Sequence, residues 1–508
     1  MSGAAPCLMV QGTASGVGKS LIAAALCRIF ARAGYRVAPF KSQNMALNAA
    51  VTADGGEIGR AQASQAAAAG IEPTVDMNPI LLKPEVNLRS QVVVRGKAVA
   101  SATWREYQRM QPELLPIVAE SLARLRRASD LVIIEGAGSP AEINLRESDI
   151  VNMRVARMAE APVLLVGDID RGGVFAALLG TLALLDPADR ARVGGLVINR
   201  FRGDATILAP GLAELSARSG VPVLGVVHYL EPGLVPSEDS LDLDDRSRWG
   251  ESGALDVAVV RLPLISNFDD FEPLAAEPGV RVRFVQGADE IRGADLIVLP
   301  GSKATVADLR WLAASGLAQA IRRAAADGRP IVGVCGGYQM LGEAVHDPER
   351  VESDAVTTEA LGLLPTVTTF VPNKTTVRVR ARVGEAAGPF SRAVGAELVA
   401  YEIHAGRTSP RSAPPFSIVE RGGIPVHDAD GAVNDAGTVL GTYLHGLFAN
   451  DSLRKELLEF LAERKGIVAD PRWGTPTPDR YEHLADAVAR ALDMRAIAKL
   501  AGLPFPRP

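Results

Sequence analysis

Cys335 lies in the stretch "IVGVCGGYQM", where an apolar run ends and two glycines follow directly. A structural thiol inside a strand or helix has no need of glycine there, whereas a turn too tight for a β-carbon does. A thiol on such a turn is presented at the end of a strand, as a nucleophile must be. It then needs a base and backbone N–H groups to hold an oxyanion. Gly336 supplies the N–H after the thiol, and Gly301, in "VLPGSK" at the end of another strand, is placed to supply a second. Among six histidines, His445 ends the apolar strand "GTVLGTYLHG" and is the candidate base, with His404 in "YEIHAG" as its competitor. His228, His346, His427 and His483 fall in helical or irregular contexts and read as surface or packing residues. No pair of histidines has metal-ligand spacing.

A second chemical signal sits at the other end of the chain. "VQGTASGVGKSL" follows a short apolar strand and opens a helix, so its backbone N–H groups converge on phosphate with the helix N-terminus behind them. Gly12, Thr13, Gly16, Val17 and Gly18 form the loop, Lys19 reaches the terminal phosphates, and the Ser20 hydroxyl is a Mg²⁺ ligand. Five residues separate Gly12 from Gly18, one more than the usual spacing. Two acids can assist with Mg²⁺. Glu135 ends the strand "LVIIEGAG", at the edge of a parallel sheet where ligands bind, and Asp54 lies in the loop-like "TADGGEIGR". "GAGS" at 136–139 lacks the third glycine of a dinucleotide fingerprint, so no dinucleotide site is read there.

These residues need strands and helices to present them. Short apolar strands alternate with helix-period segments on both sides of a charged stretch, "DLDDRSRWGES" at 242–252. Continuous apolar strands joined by helices mean parallel sheets covered on both faces. The expected organisation is α/β: a P-loop domain at 1–241, a linker at 242–252, a thiol-bearing domain at 253–455 and a helical extension at 456–508. At 508 residues the chain is too long for one core.

Composition narrows the function classes. The chain is 47% apolar and 22% charged, with a net charge of −5 and no basic block, which argues against nucleic acid as a partner. Three widely spaced cysteines without a CxxC argue against a disulfide framework or a structural zinc site. No apolar run reaches the roughly 18 residues of a membrane span and no signal-peptide pattern begins the chain, so the expected location is the cytoplasm, away from membranes.

"GVCGGYQML" and "YLHGLF" resemble the class I glutamine amidotransferases, in which a cysteine on a strand–turn–helix elbow attacks the glutamine amide with a histidine's help and ammonia is released. That resemblance implies Cys335 as nucleophile and His445 as base. Most members carry glutamate two residues after the histidine, where this chain has Leu447; the orienting acid is then absent or comes from elsewhere, with Glu402 as the candidate. The first half resembles the dethiobiotin synthetase group, which shares the five-residue spacing and activates carboxylates with ATP and Mg²⁺. It implies phosphate binding at 13–20, metal binding at Ser20, Asp54 and Glu135, Lys41 of "PFKSQNM" at an acyl phosphate, and Asn199 of "VINRF" near the adenine.

The blocks "PFKSQNMALN", "GGEIGRAQASQA", "DMNPILLKP" and "GDIDRGGVFAALLGT", with both domains in this order, closely resemble the cobyric acid synthase family. The implied reaction is ATP- and glutamine-dependent amidation of the b, d, e and g carboxylates of a corrinoid in cobalamin biosynthesis. Its substrate is a large polyanion, and Lys83, Arg89 and Arg171 are candidates to flank it. Two other readings fit the motifs: the same chemistry on another carboxylate (the a,c-diamide step or a cell-wall precursor), or a regulatory P-loop ATPase with a glutamine-sensing domain. The oligomeric state is left open.

Overall fold

The computed structural model describes residues 4–231, 233–236, 243, 249, 253–386, 388–476 and 479–505. Most of the linker expected at 242–252 lies outside the described residues. Trp249, within it, is buried and packs edge-on against Phe284 of the second domain.

The first domain is built on six parallel strands in the order Val223–His228, Val193–Phe201, Val163–Asp168, Cys7–Gly12, Leu131–Glu135 and Val37–Phe40. Helices cover both faces, which is why strands such as Val163–Asp168 and Leu131–Glu135 are buried along their whole length. The phosphate loop leaves the centre of this sheet, since Cys7–Gly12 lies between the strands ending in Asp168 and Glu135. A smaller sheet of Gln43–Met45, Ile80–Pro84, Arg89–Val94 and Lys97–Thr103 is added beside it.

The second domain repeats the principle with five parallel strands, in the order Val280–Val285, Leu255–Val260, Leu296–Leu299, Ile331–Val334 and Val439–Thr442, and a short antiparallel edge at Ala432–Val433. A mostly antiparallel sheet flanks it, dominated by the long pair Thr366–Val383 and Glu397–Pro410. This sheet was not expected from the sequence. Its strands alternate buried and exposed residues and so lack the continuous apolar runs by which the parallel strands were recognised.

The C-terminal segment is helical and packs on both domains. The helix Asp451–Lys465 packs on the second domain, where Leu453, Leu457, Leu458 and Leu461 join its core. The helices Arg480–Ala491 and Met494–Leu500 return to the first domain, where Leu484, Val488 and Ile497 join its core and the first of the two helices packs on the helix that follows the phosphate loop. The chain thus laces both domains together. Among the described residues no helix is long and apolar enough to cross a membrane.

Candidate functional site

Cys335 follows the strand Ile331–Val334 with φ 53° and ψ −108°, a strained backbone for a residue with a side chain. The helix Gly336–Leu341 starts at once and lies so close to the neighbouring strand end that a β-carbon on Gly337 would stand 1.9 Å from the Leu299 carbonyl oxygen. One on Gly336 would stand 2.8 Å from the Ser302 amide nitrogen. The two glycines are therefore required by backbone approach. The register pairs Val334 with Thr442, so Cys335 and His445 emerge from adjacent strands on the same sheet edge. Gly301 borders the same spot: its β-carbon position is 3.2 Å from His445 Cε1.

His445 is buried and fixed on two sides. Its backbone exchanges hydrogen bonds with Tyr401, whose ring stacks on the imidazole at 5.2 Å. Its Nδ1 lies 2.7 Å from Asp270 Oδ2. Asp270 sits in the turn Phe268–Phe271, held by the burial of both phenylalanines, and its other oxygen accepts from the Gly446 amide at 3.0 Å. Burial works against a charged imidazole, yet the Asp270 carboxylate and the adjacent Cys335 sulfur outweigh it and raise His445 to about 10. The arrangement is a Cys–His–Asp triad.

The orienting acid is thus Asp270, 175 residues before the histidine, and not Glu402. Glu402 is buried but both its oxygens accept from Arg421, at 2.9 and 3.0 Å. Leu447 is simply a core residue. His404 gives its Nδ1 to the Gly406 carbonyl region at 2.8 Å and stacks on Tyr443, and burial lowers its pKa, which suits a packing role. Burial also pushes the thiols of Cys7 and Cys27 up, Cys7 to about 11, so neither is prepared as a nucleophile.

In the first domain Gly18 has φ 98° and a β-carbon there would collide with Asn199, whose side-chain nitrogen donates to the Val17 carbonyl at 2.9 Å. Asn199 buttresses the loop itself. Gly12 is closed over by Val17, and the Thr13 amide donates to Val166 in the next strand. Lys19 Nζ donates to the carbonyls of Ala14 and Gly138, at 2.8 and 3.0 Å, and so lies across the loop mouth. Ser20 Oγ and Lys41 Nζ both donate to Glu135 Oε1, at 2.8 and 2.9 Å, while Gln65 donates to Oε2. Burial opposes ionisation of Glu135, but Lys41 and these donors hold its pKa below the usual carboxylate value. A cavity of about 440 Å³ opens over Gly18, Lys19, Ser20, Lys41 and Glu135 and runs to Tyr229 and Leu230.

The candidate residues divide. Arg171 joins the loop, with Nη2 3.7 Å from the β-carbon position of Gly16. Asp54 does not meet Ser20 and Glu135: it occupies the turn between Ala49–Val51 and Glu57–Gly59, held by the Thr52 hydroxyl, beside Gly55, whose β-carbon position is 3.0 Å from the Thr376 carbonyl of the second domain. Lys83 is buried in an ion cluster with Glu57 and Lys374, committed to a domain contact. Arg89, on the added sheet, donates to Ser101 and pairs with Glu106 in the first turn of the helix that follows. Of these four candidates only Arg171 reaches the phosphate loop.

Residues 256–453 match the family described as the CobB/CobQ-like glutamine amidotransferase domain, and residues 8–232 the CobQ/CobB/MinD/ParA nucleotide binding domain. The cobyric acid synthase of Sorangium cellulosum is 56% identical over 98% of both chains. That of Dehalococcoides mccartyi is 51% identical over 98% of both, and that of Pelotomaculum thermopropionicum 50% identical over 99% of this chain and 98% of its own. The chain belongs to the cobyric acid synthase family.

For this cobyric acid synthase family member, sequence reasoning missed Asp270, Gln65, Arg60 and Tyr401. The acidic doublet of "NFDDFEP", set among phenylalanines, was the available signal for the first: charge inside an apolar turn needs a partner. Gln65 and Arg60 lie on the helix Arg60–Ala68, within the quoted block "GGEIGRAQASQA".

Proposed function

We propose that this protein makes cobyric acid, amidating the b, d, e and g side-chain carboxylates of (adenosyl)cobyrinic acid a,c-diamide with ATP and glutamine. Whole-chain likeness to cobyric acid synthases carries this reading, since it spans both sites at once. On this reading, a supply of ATP, glutamine and such a substrate favours the cytoplasm as its location.

A carboxylate does not accept ammonia directly, because oxide would have to leave. Transfer of the ATP γ-phosphoryl group to the carboxylate oxygen releases ADP and gives an acyl phosphate, whose leaving group is phosphate. Lys19, Lys41 and Arg171 offset the charge on the transferring group. Ser20 and Glu135 are hard oxygen donors placed side by side, a set that suits Mg²⁺, which keeps several waters and takes one or two protein ligands. Bound there, Mg²⁺ supplies charge neutralisation of the phosphates. Asn199 and the loop glycines keep the backbone N–H groups aimed at the phosphates.

In the second domain the Cys335 thiolate attacks the glutamine carboxamide, and Gly301 and Gly336 offer N–H groups to the resulting oxyanion. His445, oriented by Asp270, delivers a proton to the departing nitrogen. Ammonia leaves, a thioester remains, and water hydrolyses it to glutamate with the thiol restored. The ammonia, delivered unprotonated along a sheltered path between the domains, attacks the acyl phosphate.

Incubation with Mg-ATP, glutamine and cobyrinic acid a,c-diamide, followed by mass spectrometry, tests the reading. Stepwise conversion of carboxylates to amides, ending after the fourth, is expected. ATP hydrolysis without an amidated corrinoid would refute it.

A further inference from the structure

The helix Arg60–Ala68 belongs to the first domain, yet it touches both sites. At its start Arg60 Nη2 donates to the Tyr401 hydroxyl at 2.5 Å, and Arg60 Nε lies 2.7 Å from Asp269 Oδ2. The second contact is close but off-line for a hydrogen bond, so it acts as charge compensation. Tyr401 is the residue stacked on His445, and Asp269 precedes the triad's Asp270. Five residues on, Gln65 donates to Glu135, the acid shared by Ser20 and Lys41. The step from Arg60 to Gln65 is about 7.5 Å along the helix axis.

The surroundings make this helix a rigid piece. Ala61 and Ser64 line the cavity over the phosphate loop, Gln62 accepts from Asn44 at 3.1 Å, and Ser64 meets the Tyr481 hydroxyl at 2.9 Å. The strand Glu57–Gly59 runs straight into it and is tied to the second domain through Glu57 and Lys374 at 2.6 Å. Asn267 closes the joint, donating to both the Ala49 carbonyl and the Tyr401 hydroxyl. A packed helix moves as a body and not by bending, so a shift at Gln65 is felt at Arg60.

We propose that the helix Arg60–Ala68 is a strut coupling the phosphate-loop site to the glutaminase triad, with Arg60 as the positioning residue for Tyr401 and His445. Its logic rests on the function proposed above. Binding of Mg-nucleotide engages Ser20 and Glu135 and alters the hold of Glu135 on Gln65. The strut carries that change to Arg60, which resets the Tyr401 ring against the imidazole. Arg60 also compensates the buried charge of Asp269, so that Asp270 Oδ2 stays paired with His445.

The test reads Cys335 directly and needs no turnover. A diazoketone analogue of glutamine alkylates a glutaminase cysteine, and its rate is measured by mass spectrometry with and without a non-hydrolysable Mg-ATP analogue. In the parent protein the nucleotide is expected to change the rate by about fivefold or more, in either direction. Arg60→Ala and Gln65→Ala are each expected to give one rate under both conditions, while Arg60→Lys restores part of the difference. Tyr401→Phe, which keeps the ring and loses only the hydroxyl, covers the case in which an Arg60 variant fails to fold, and it too should lose the nucleotide effect. An unchanged rate in the parent protein, or an Arg60→Ala or Tyr401→Phe variant keeping the parent's ratio, overturns the proposal. Failure to label Cys335 at all, or to bind the nucleotide analogue, overturns the proposed function and the strut with it; normal labelling and binding without coupling overturns the strut alone.

Discussion

His445 Nδ1 and Asp270 Oδ2 lie 2.7 Å apart although 175 residues separate them in the chain. The contact replaces the glutamate that most related triads carry just after the histidine, a position held here by Leu447 in the core. It also ties the base to the turn Phe268–Phe271, where the two domains meet: the Phe268 amide donates to Asn48 of the first domain at 3.3 Å.

Replacing Asp270 with asparagine keeps the shape and removes the charge. Glutamine-dependent amidation is expected to fall by about 10³–10⁴, the scale of an aspartate-to-asparagine change in a catalytic triad, while ammonium salts still support the reaction. Glu402→Gln serves as the contrast. It should leave the ratio of glutamine- to ammonia-dependent rates unchanged and cost about 1–3 kcal/mol of stability through the loosened Arg421 pair. Comparison of the two nitrogen sources for each variant checks both, and equal losses in the two variants would contradict the assignment of Asp270.

The raised pKa of His445 makes stability depend on pH. The group moves from 6.5 to about 10, with burial opposing the shift and Asp270 and Cys335 driving it. Between those values the folded chain holds a proton that the unfolded chain has released. The stabilisation is therefore complete below pH 6.5 and declines as pH rises toward 10. Denaturant midpoints across that window should fall with pH in the parent protein and fall less steeply in Asp270→Asn. Parallel curves would mean that the pair contributes nothing to folding.

Gly337→Ala tests why the elbow is built from glycine. The added carbon would stand 1.9 Å from the Leu299 carbonyl, and backbone cannot yield as a flexible side chain does. Relief requires the helix Gly336–Leu341 to lift, which drags Cys335 with it. A loss of about 1–3 kcal/mol is expected, together with loss of glutamine-dependent activity and retention of ammonia-dependent activity. A variant hydrolysing glutamine normally would show that the elbow has slack.

Local signals settled much of this protein from its sequence. The strained thiol, the glycine-rich loop with Lys19 and Ser20, and Glu135 at a strand end were legible because each sits where a strand meets a turn, so its geometry follows from a few neighbouring residues. His445 was legible for the same reason, on the strand next to Cys335. The two parallel sheets announced themselves as continuous apolar runs. The long antiparallel pair Thr366–Val383 and Glu397–Pro410 did not, because half of each strand faces solvent or the other domain.

Tertiary structure alone decided the partners. Asp270 reaches His445, Lys83 disappears into a cluster with Glu57 and Lys374, and Asp54 is held by Thr52 in a turn of its own, without meeting Ser20 or Glu135. The Asp270–His445 pair forms within the second domain from segments far apart in the chain, whereas the Lys374–Glu57 pair and the approach of Gly55 to Thr376 depend on how the two domains dock. Arg60 is the clearest case: its helix is set by local sequence, but its contact with Tyr401 and Asp269 exists only because the second domain closes over it. Side-chain types fix what chemistry is possible, while packing of distant segments fixes which of them meet, because the energy of a buried ion pair or hydrogen bond is gained only at contact distance.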